Sequence, residues 1–323
     1  MIFELIPMLV LLAAAIAAGV VGAVVGGRRA TAAAGSADPP SALGTAAEMA
    51  FLTLFGGFVA RAFVGTLIEA SGGSRGARLL LGWAFGLVPG IVDTIAAPSG
   101  AQPLTNASAL LAIVTAVGAF TGWMAGYHRI YEWKGAGVGQ LLGDVVWGLA
   151  GSTTAALVGL FNVFFGDHAD DGRTGAHRYP TGFRLKKDFA FTQGNVMSCL
   201  TDVTTAPLYK HERLHVFQNR VFGPLFMLTY LAWMAVWFVP SLIASGVKWD
   251  ARFIEGWCYR SNPWEIWAYY VQRKAAGQAE GSDFRSGGDW SRFTFSETTG
   301  IGLSIPFFIL AVVGVIAAVV VLW

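Results

Sequence analysis

The sequence predicts an all-α polytopic integral membrane protein with about six transmembrane helices, a further apolar segment over 222–247 that is re-entrant or interfacial, and one polar region. Three observations carry that prediction. Charged residues are 13% of the 323 and hydrophobic ones 54%, with a mean hydropathy of +0.55, whereas soluble domains carry about 25% charge. Several apolar runs reach the roughly 20 residues that a helix needs to cross about 30 Å of hydrocarbon. Within them small residues recur at four-residue spacing, which lets backbones approach where lipid tails remove the hydrophobic drive between helices.

Residues 2–25 are apolar apart from Glu4, and Arg28 and Arg29 follow the run instead of preceding it. This reads as an uncleaved first helix and not as a signal peptide. Its Gly19, Gly22 and Gly26 offer a packing face, and 28–40 is a short Ala, Gly, Ser and Pro loop. Four more spans are expected over 49–67, 79–97, 109–128 and 141–165. Gly56 with Ala60, Gly118 with Gly122 and Gly126, and Gly148 with Ser152 form small-residue faces on them. Arg61, Asp93 and Asp144 lie inside these spans, where charged groups face the bundle and pair. Pairing of Arg61 with either aspartate is the expected arrangement, since a transport route would need more charges. The run 301–323 is uncharged and reads as a C-terminal anchor. The organisation is therefore a glycine-rich five-helix membrane region over 1–165, a polar region over 166–300 and a last transmembrane helix over 301–323.

The polar region opens with His168, Asp170 and Asp171, a run that could hold a metal but more commonly is a solvated loop. Further on stands His211-Glu212-Arg213-Leu214-His215, an H-E-x-x-H pattern. On a helix, positions i and i+4 share a face, so the two imidazoles can meet one metal ion with Glu212 beside them. Zn2+ suits such a site: it lowers the pKa of a water to about 7, and a neighbouring carboxylate can take the proton. With five His in the whole chain, two at this spacing around a Glu favour metal binding over coincidence. Thr204 or Thr205 is the expected N-cap ahead of Pro207.

The segment 222–247 decides the topology. A straight helix rising about 1.5 Å per residue crosses the bilayer and delivers Glu255 and Glu265 to the face opposite His211. A break at Pro224 and Pro240 keeps both polar stretches on one side. Most of the 22 Lys and Arg lie in 166–300, on both flanks of this segment. The positive-inside rule then favours the hairpin and a cytoplasmic polar region, most simply at a bacterial inner membrane. Asn262-Pro263 is a helix start that places Glu265 in the first turn.

The H-E-x-x-H-x-x-Q pattern from His211 to Gln218, followed by Gly223-Pro224, an apolar segment and the N-P-x-E-x-x-A pattern from Asn262 to Ala268, resembles the gluzincin-type zinc metallopeptidases, especially bacterial membrane members. The resemblance covers about 208–270. It implies a metallopeptidase-like polar region with His211, His215 and Glu265 as Zn2+ ligands, Glu212 as general base, and hydrolysis of a peptide bond in a membrane-protein segment or released peptide. Arg213-Leu214 departs from it, since such motifs often place a small residue before the second His. Tyr259, Tyr269, Tyr270 and His177 are the candidate groups for stabilising an oxyanion. Should Glu265 lie across the bilayer, Asp202, Cys199 and His177 are alternative third ligands.

Composition narrows the other classes. A net charge of +2 gives no footprint for nucleic acid. Cys199 and Cys258 form neither a disulfide framework nor a C-x-x-C site. Twelve Trp and 23 Phe suit interfacial belts. The expected partners are the lipid bilayer, a membrane-protein or peptide substrate and a larger membrane complex. An inert structural or scaffolding subunit of such a complex is the alternative function, with a transporter or channel ranked below it.

Overall fold

The computed structural model describes residues 2–32, 41–72, 80–86, 107–186, 189–278 and 290–322. The chain divides into two compact units, Met1–Cys199 and Leu200–Trp323.

The first unit is built on α1 (Ile2–Ala32), α2 (Ala42–Ala70) and α3 (Ala107–His128). Ser41 caps α2, its hydroxyl accepting the Gly44 N–H at 2.9 Å. The small-residue spacing explains the packing. A Cβ at Gly118 would collide with the Gly56 carbonyl and with Ala60, one at Gly122 with the Leu52 carbonyl, and one at Gly126 would come 2.7 Å from the Met49 Cα. Gly22 and Gly26 of α1 meet Ala46 and Ala42 of α2 as closely, a Cβ at either falling 2.8 Å from the facing Cα. The central helix α2 is thus gripped on two sides by glycine contacts.

Most of the span expected over 79–97 lies outside the described residues, and Asp93 with it. Gly82–Gly86 forms a π-helical turn. The single span expected over 141–165 is instead two helices, α4 (Ala136–Val145) and α5 (Leu149–Phe165), bent by 85°. Asp144 lies in the last turn before the bend. Its carboxylate accepts the Tyr131 hydroxyl at 2.5 Å and the Asn195 side-chain amide at 3.0 Å, while the Ser152 hydroxyl donates to its carbonyl at 2.7 Å. A fully buried carboxylate needs such donors, and a straight helix would take it away from them.

The purely α expectation also needs correction. Beyond α5 a small sheet forms from β1 (His177–Tyr179), β2 (Phe191–Gln193) and β3 (Val196–Ser198), in the order β1-β3-β2. β1 runs parallel to β3 with His177 opposite Val196, and β2 runs antiparallel with Phe191 opposite Ser198. Gly194, at φ +54, turns the hairpin against Gly151 and Ala155 of α5. What reads as solvated loop therefore buries His177, Arg178 and Tyr179.

In the second unit, α6 (Pro207–Phe222) carries the H-E-x-x-H residues. Its N-cap is Ala206 and not Thr204 or Thr205. Pro207 at the first position has no N–H to satisfy, which removes part of the need for a side-chain cap. Gly223, at φ 53, joins α6 to α7 (Pro224–Lys248).

The helix α7 is continuous over 25 residues, so 222–247 is not a hairpin. Pro240 sits inside it, where it removes one backbone hydrogen bond without ending the helix. The reading tied to a straight helix also fails. At Trp249 the chain turns through a left-handed residue, φ 55, and runs back along α7 through Arg252–Ile254 and the π-helical Glu255–Arg260. The Trp233 indole donates to the Trp257 carbonyl at 3.0 Å, Ser241 meets Cys258 at 3.3 Å and the Asn262 amide donates to the Tyr230 carbonyl at 3.2 Å. This return brings Glu265 back to the start of α7. There α8 (Pro263–Ala275) begins, with the Asn262 Oδ1 accepting the Trp264 N–H at 3.1 Å. The last helix, α9 (Glu297–Leu322), sets Phe307 edge-on to Trp233 and Phe308 edge-on to Trp264.

Among the described residues four helices are long and apolar enough to cross a membrane, Pro7–Arg29, Ala42–Ala70, Ala107–His128 and Pro224–Lys248, and the bent pair α4–α5 makes a fifth if it is one span. Val236, Phe238, Val239, Leu242, Ile243 and Val247 of α7 are exposed, as suits a helix in lipid.

Candidate metal centre

The helical spacing places His211 and His215 one turn apart on the buried face of α6, and the returning chain places Glu265 against both. The two Nε2 atoms are 3.2 Å apart. Glu265 Oε2 stands 3.2 Å from His211 Nε2, and Oε1 stands 3.4 Å from His215 Nε2. All three side chains are buried, as is Glu212, with 2% of His211, 7% of His215, 2% of Glu265 and 4% of Glu212 exposed.

Three surrounding residues orient these groups. Gln218 Oε1 lies 2.8 Å from His215 Nδ1, and its amide nitrogen donates to the Trp264 carbonyl at 3.1 Å. Gln218 therefore holds the proton on Nδ1, turns Nε2 toward the shared space and ties α6 to the start of α8. The Tyr230 hydroxyl donates to Glu265 Oε1 at 2.9 Å. The Tyr269 ring lies against His211 with centroids 4.7 Å apart.

Electrostatics couple the group tightly. Burial alone would lower His215, but the Glu265 carboxylate outweighs it by charge and hydrogen bond, with Glu212 and Gln218 adding, and the value rises to about 9. Burial acts on Glu265 in the opposite sense, yet the two imidazoles hold it well below the usual carboxylate range. Burial first, then the charge on Glu265, pushes the hydroxyls of Tyr259 and Tyr269 above their ordinary value, so both remain proton donors. Glu212 contributes to the shifts of His215, Tyr259 and Tyr269, which puts its charge within reach of all three.

The donor set suits a zinc ion. At about 2.0–2.1 Å from each ligand, tetrahedral geometry separates neighbouring donor atoms by roughly 3.3–3.4 Å, close to the 3.2 Å between the imidazole nitrogens and to the 3.2 and 3.4 Å from them to the two oxygens of Glu265. His211 Nδ1 and Glu265 Oε2 are buried without a hydrogen-bond partner among the described residues, an arrangement that a cation drawing on the carboxylate would relieve.

The four residues singled out by H-E-x-x-H and N-P-x-E thus come together. Among the expected oxyanion groups, Tyr259 and Tyr269 are at the site, Tyr270 is exposed, and His177 belongs to the sheet of the first unit. Asp171 is held by Arg178 at 2.5 and 2.6 Å, so it is not free to join His168. Sequence reasoning missed Tyr230 and the role of Gln218. For Gln218 the signal was present, three residues after the second His on the same helical face. No family model matches the chain, and no curated protein or solved structure is similar to it.

Proposed function

We propose that the second unit is a membrane-associated zinc metallopeptidase that hydrolyses peptide bonds. His211, His215 and Glu265 would hold Zn2+, which when bound would supply Lewis acidity toward a carbonyl and toward water. Glu212 is the general base and passes the proton on to the leaving amine. Tyr259 and Tyr269, kept protonated by burial, are placed to donate hydrogen bonds to a developing oxyanion. Gln218 orients His215. The observation that carries this reading is the approach of the two Nε2 atoms to 3.2 Å from each other and to 3.2 and 3.4 Å from the two carboxylate oxygens of Glu265, with a second carboxylate, Glu212, beside them.

The burial of all four side chains means that a substrate reaches them by displacing covering groups, which favours an unfolded or membrane-released segment over a folded protein. The basic residues that lead into α7, Lys210, Arg213 and Arg220, favour a cytoplasmic site at a bacterial inner membrane. The test is hydrolysis of a quenched casein substrate and of a membrane-protein fragment by detergent-purified protein with and without Glu212→Gln. The variant should keep its zinc and lose about 10²–10⁴-fold in kcat. Full activity in a zinc-loaded Glu212→Gln protein would falsify the assignment of the base.

A further inference from the structure

The first unit carries a second cluster of imidazoles drawn from three separate elements. His128 is the last residue of α3, His168 lies in the loop after α5, and His177 opens β1. His168 Nε2 stands 3.2 Å from His177 Nδ1. The rings of His128 and His168 stack with centroids 3.5 Å apart and planes within 12°. The His128 Nε2 lies 3.2 Å from the Tyr179 hydroxyl. One nitrogen from each of the three histidines lies within 4.8 Å of the others. His177 is 1% exposed.

The chemistry of this pocket is selective. Of the nearby carboxylates, Asp171 is held by Arg178 and Glu48 by Arg129 and Arg173, while Asp170 lines the cleft. The three donor atoms that converge are imidazole nitrogens. Mg2+ and Ca2+ need oxygen ligands, whereas neutral imidazole suits ions such as Zn2+, Cu2+ or Ni2+. Beside the cluster is a polar cleft of about 660 Å³ lined by His128, His168, Tyr179, Asp170 and Arg29. It provides an entry path and room for a further ligand.

We propose that His128, His168 and His177 form a second binding site for a divalent first-row transition metal, independent of the H-E-x-x-H group and open toward this cleft. Packing alone could stack two of the rings. It does not account for nitrogens of three histidines, from α3, a loop and a strand, converging in one place beside a solvent-accessible cleft.

The experiment is Zn2+ loading of the full chain in detergent, with bound metal counted after desalting. Wild type should retain two zinc ions per chain. His168→Ala and His211→Ala should each retain one, and the double variant none. His168 is half-buried on a loop, so its replacement should leave helix content unchanged by circular dichroism. His168→Gln, which fills more of the space, is the second variant. As a measurement that needs no change in this cluster, Co2+ added to His211→Ala should give visible ligand-field bands.

Unchanged zinc in both His168 variants, or a Co2+-loaded His211→Ala protein without those bands, would overturn the proposal. The two sites fail separately. A single zinc lost with His168→Ala and kept in His211→Ala would support this site and remove the metallopeptidase reading, and the converse would do the reverse.

Discussion

Glu265 Oε2 stands 3.2 Å from His211 Nε2 although a continuous 25-residue helix separates the two residues in the chain. The carboxylate balances the charge of the imidazoles, so its removal affects both metal and fold. Glu265→Gln should lose zinc and lower the stability of the metal-free protein by about 3 kcal/mol, because truncating one partner of a buried pair leaves the other uncompensated. Thermal unfolding in detergent after chelation, beside a zinc count, checks both effects. A variant as stable as wild type would show that the pair contributes nothing.

Gln218 is not among the proposed metal ligands, yet it orients His215 through Nδ1. Gln218→Ala should weaken zinc binding by about 10–100-fold, the usual effect of losing a partner behind a metal ligand. Gln218→Glu, which still accepts from Nδ1 but cannot donate to the Trp264 carbonyl, should recover only part of it. Competition against a chromogenic chelator measures this. Equal affinity in wild type and Gln218→Ala would leave the tautomer unexplained.

The metal-free site should also imprint a pH dependence on stability. His215 is raised from 6.5 to about 9, so its contribution is complete below pH 6.5 and is lost as pH rises through about 9. Glu265 is depressed from 4.5, so its contribution is complete above that value and is lost as pH falls through the folded one. The pair therefore stabilises most between pH 4.5 and 6.5, and stability should drop by roughly 2 kcal/mol toward pH 9. His215→Asn should flatten that decline. Zinc addition near pH 7.5 should release about one proton per site, visible as a binding heat that changes with the ionisation enthalpy of the buffer.

In the first unit, Gly122 is pressed against the Leu52 carbonyl, and an added methyl has only backbone to push. Gly122→Ala should destabilise the unit by about 1–3 kcal/mol, as overpacking does. Gly139, whose surroundings within 4 Å are empty, is the control position, and Gly139→Ala should be close to neutral. Comparable thermal shifts for the two variants would contradict the packing described.

How much was legible in the sequence differs between the two units. The glycine contacts of α1, α2 and α3 follow from spacing alone, because a four-residue repeat fixes which atoms face a neighbour. His211 and His215 could be paired for the same reason, by helical period, whereas Glu265, placed in a first helical turn by Asn262-Pro263, was joined to them only through the family resemblance. The course of the chain between them could not be read. Pro240 suggested a break that the helix absorbs, while the actual reversal lies at Trp249, and its partners, Trp233 with Trp257 and Ser241 with Cys258, are long-range. Nor did hydropathy reveal the bend after Asp144, since the donors that hold this residue, Tyr131 and Asn195, come from elsewhere. The convergence of His128 with His168 and His177 has no local signature at all.

The return of the chain along α7 orders the events of synthesis. His211 and His215 are made first, α7 follows, and the third donor arrives only after Trp249 has reversed the direction and the π-helical Glu255–Arg260 has lain down against Trp233 and Ser241. Until then the two histidines stand without the carboxylate that completes their group. The site proposed for this unit would therefore assemble only when the chain has folded back along α7, after that helix is in place.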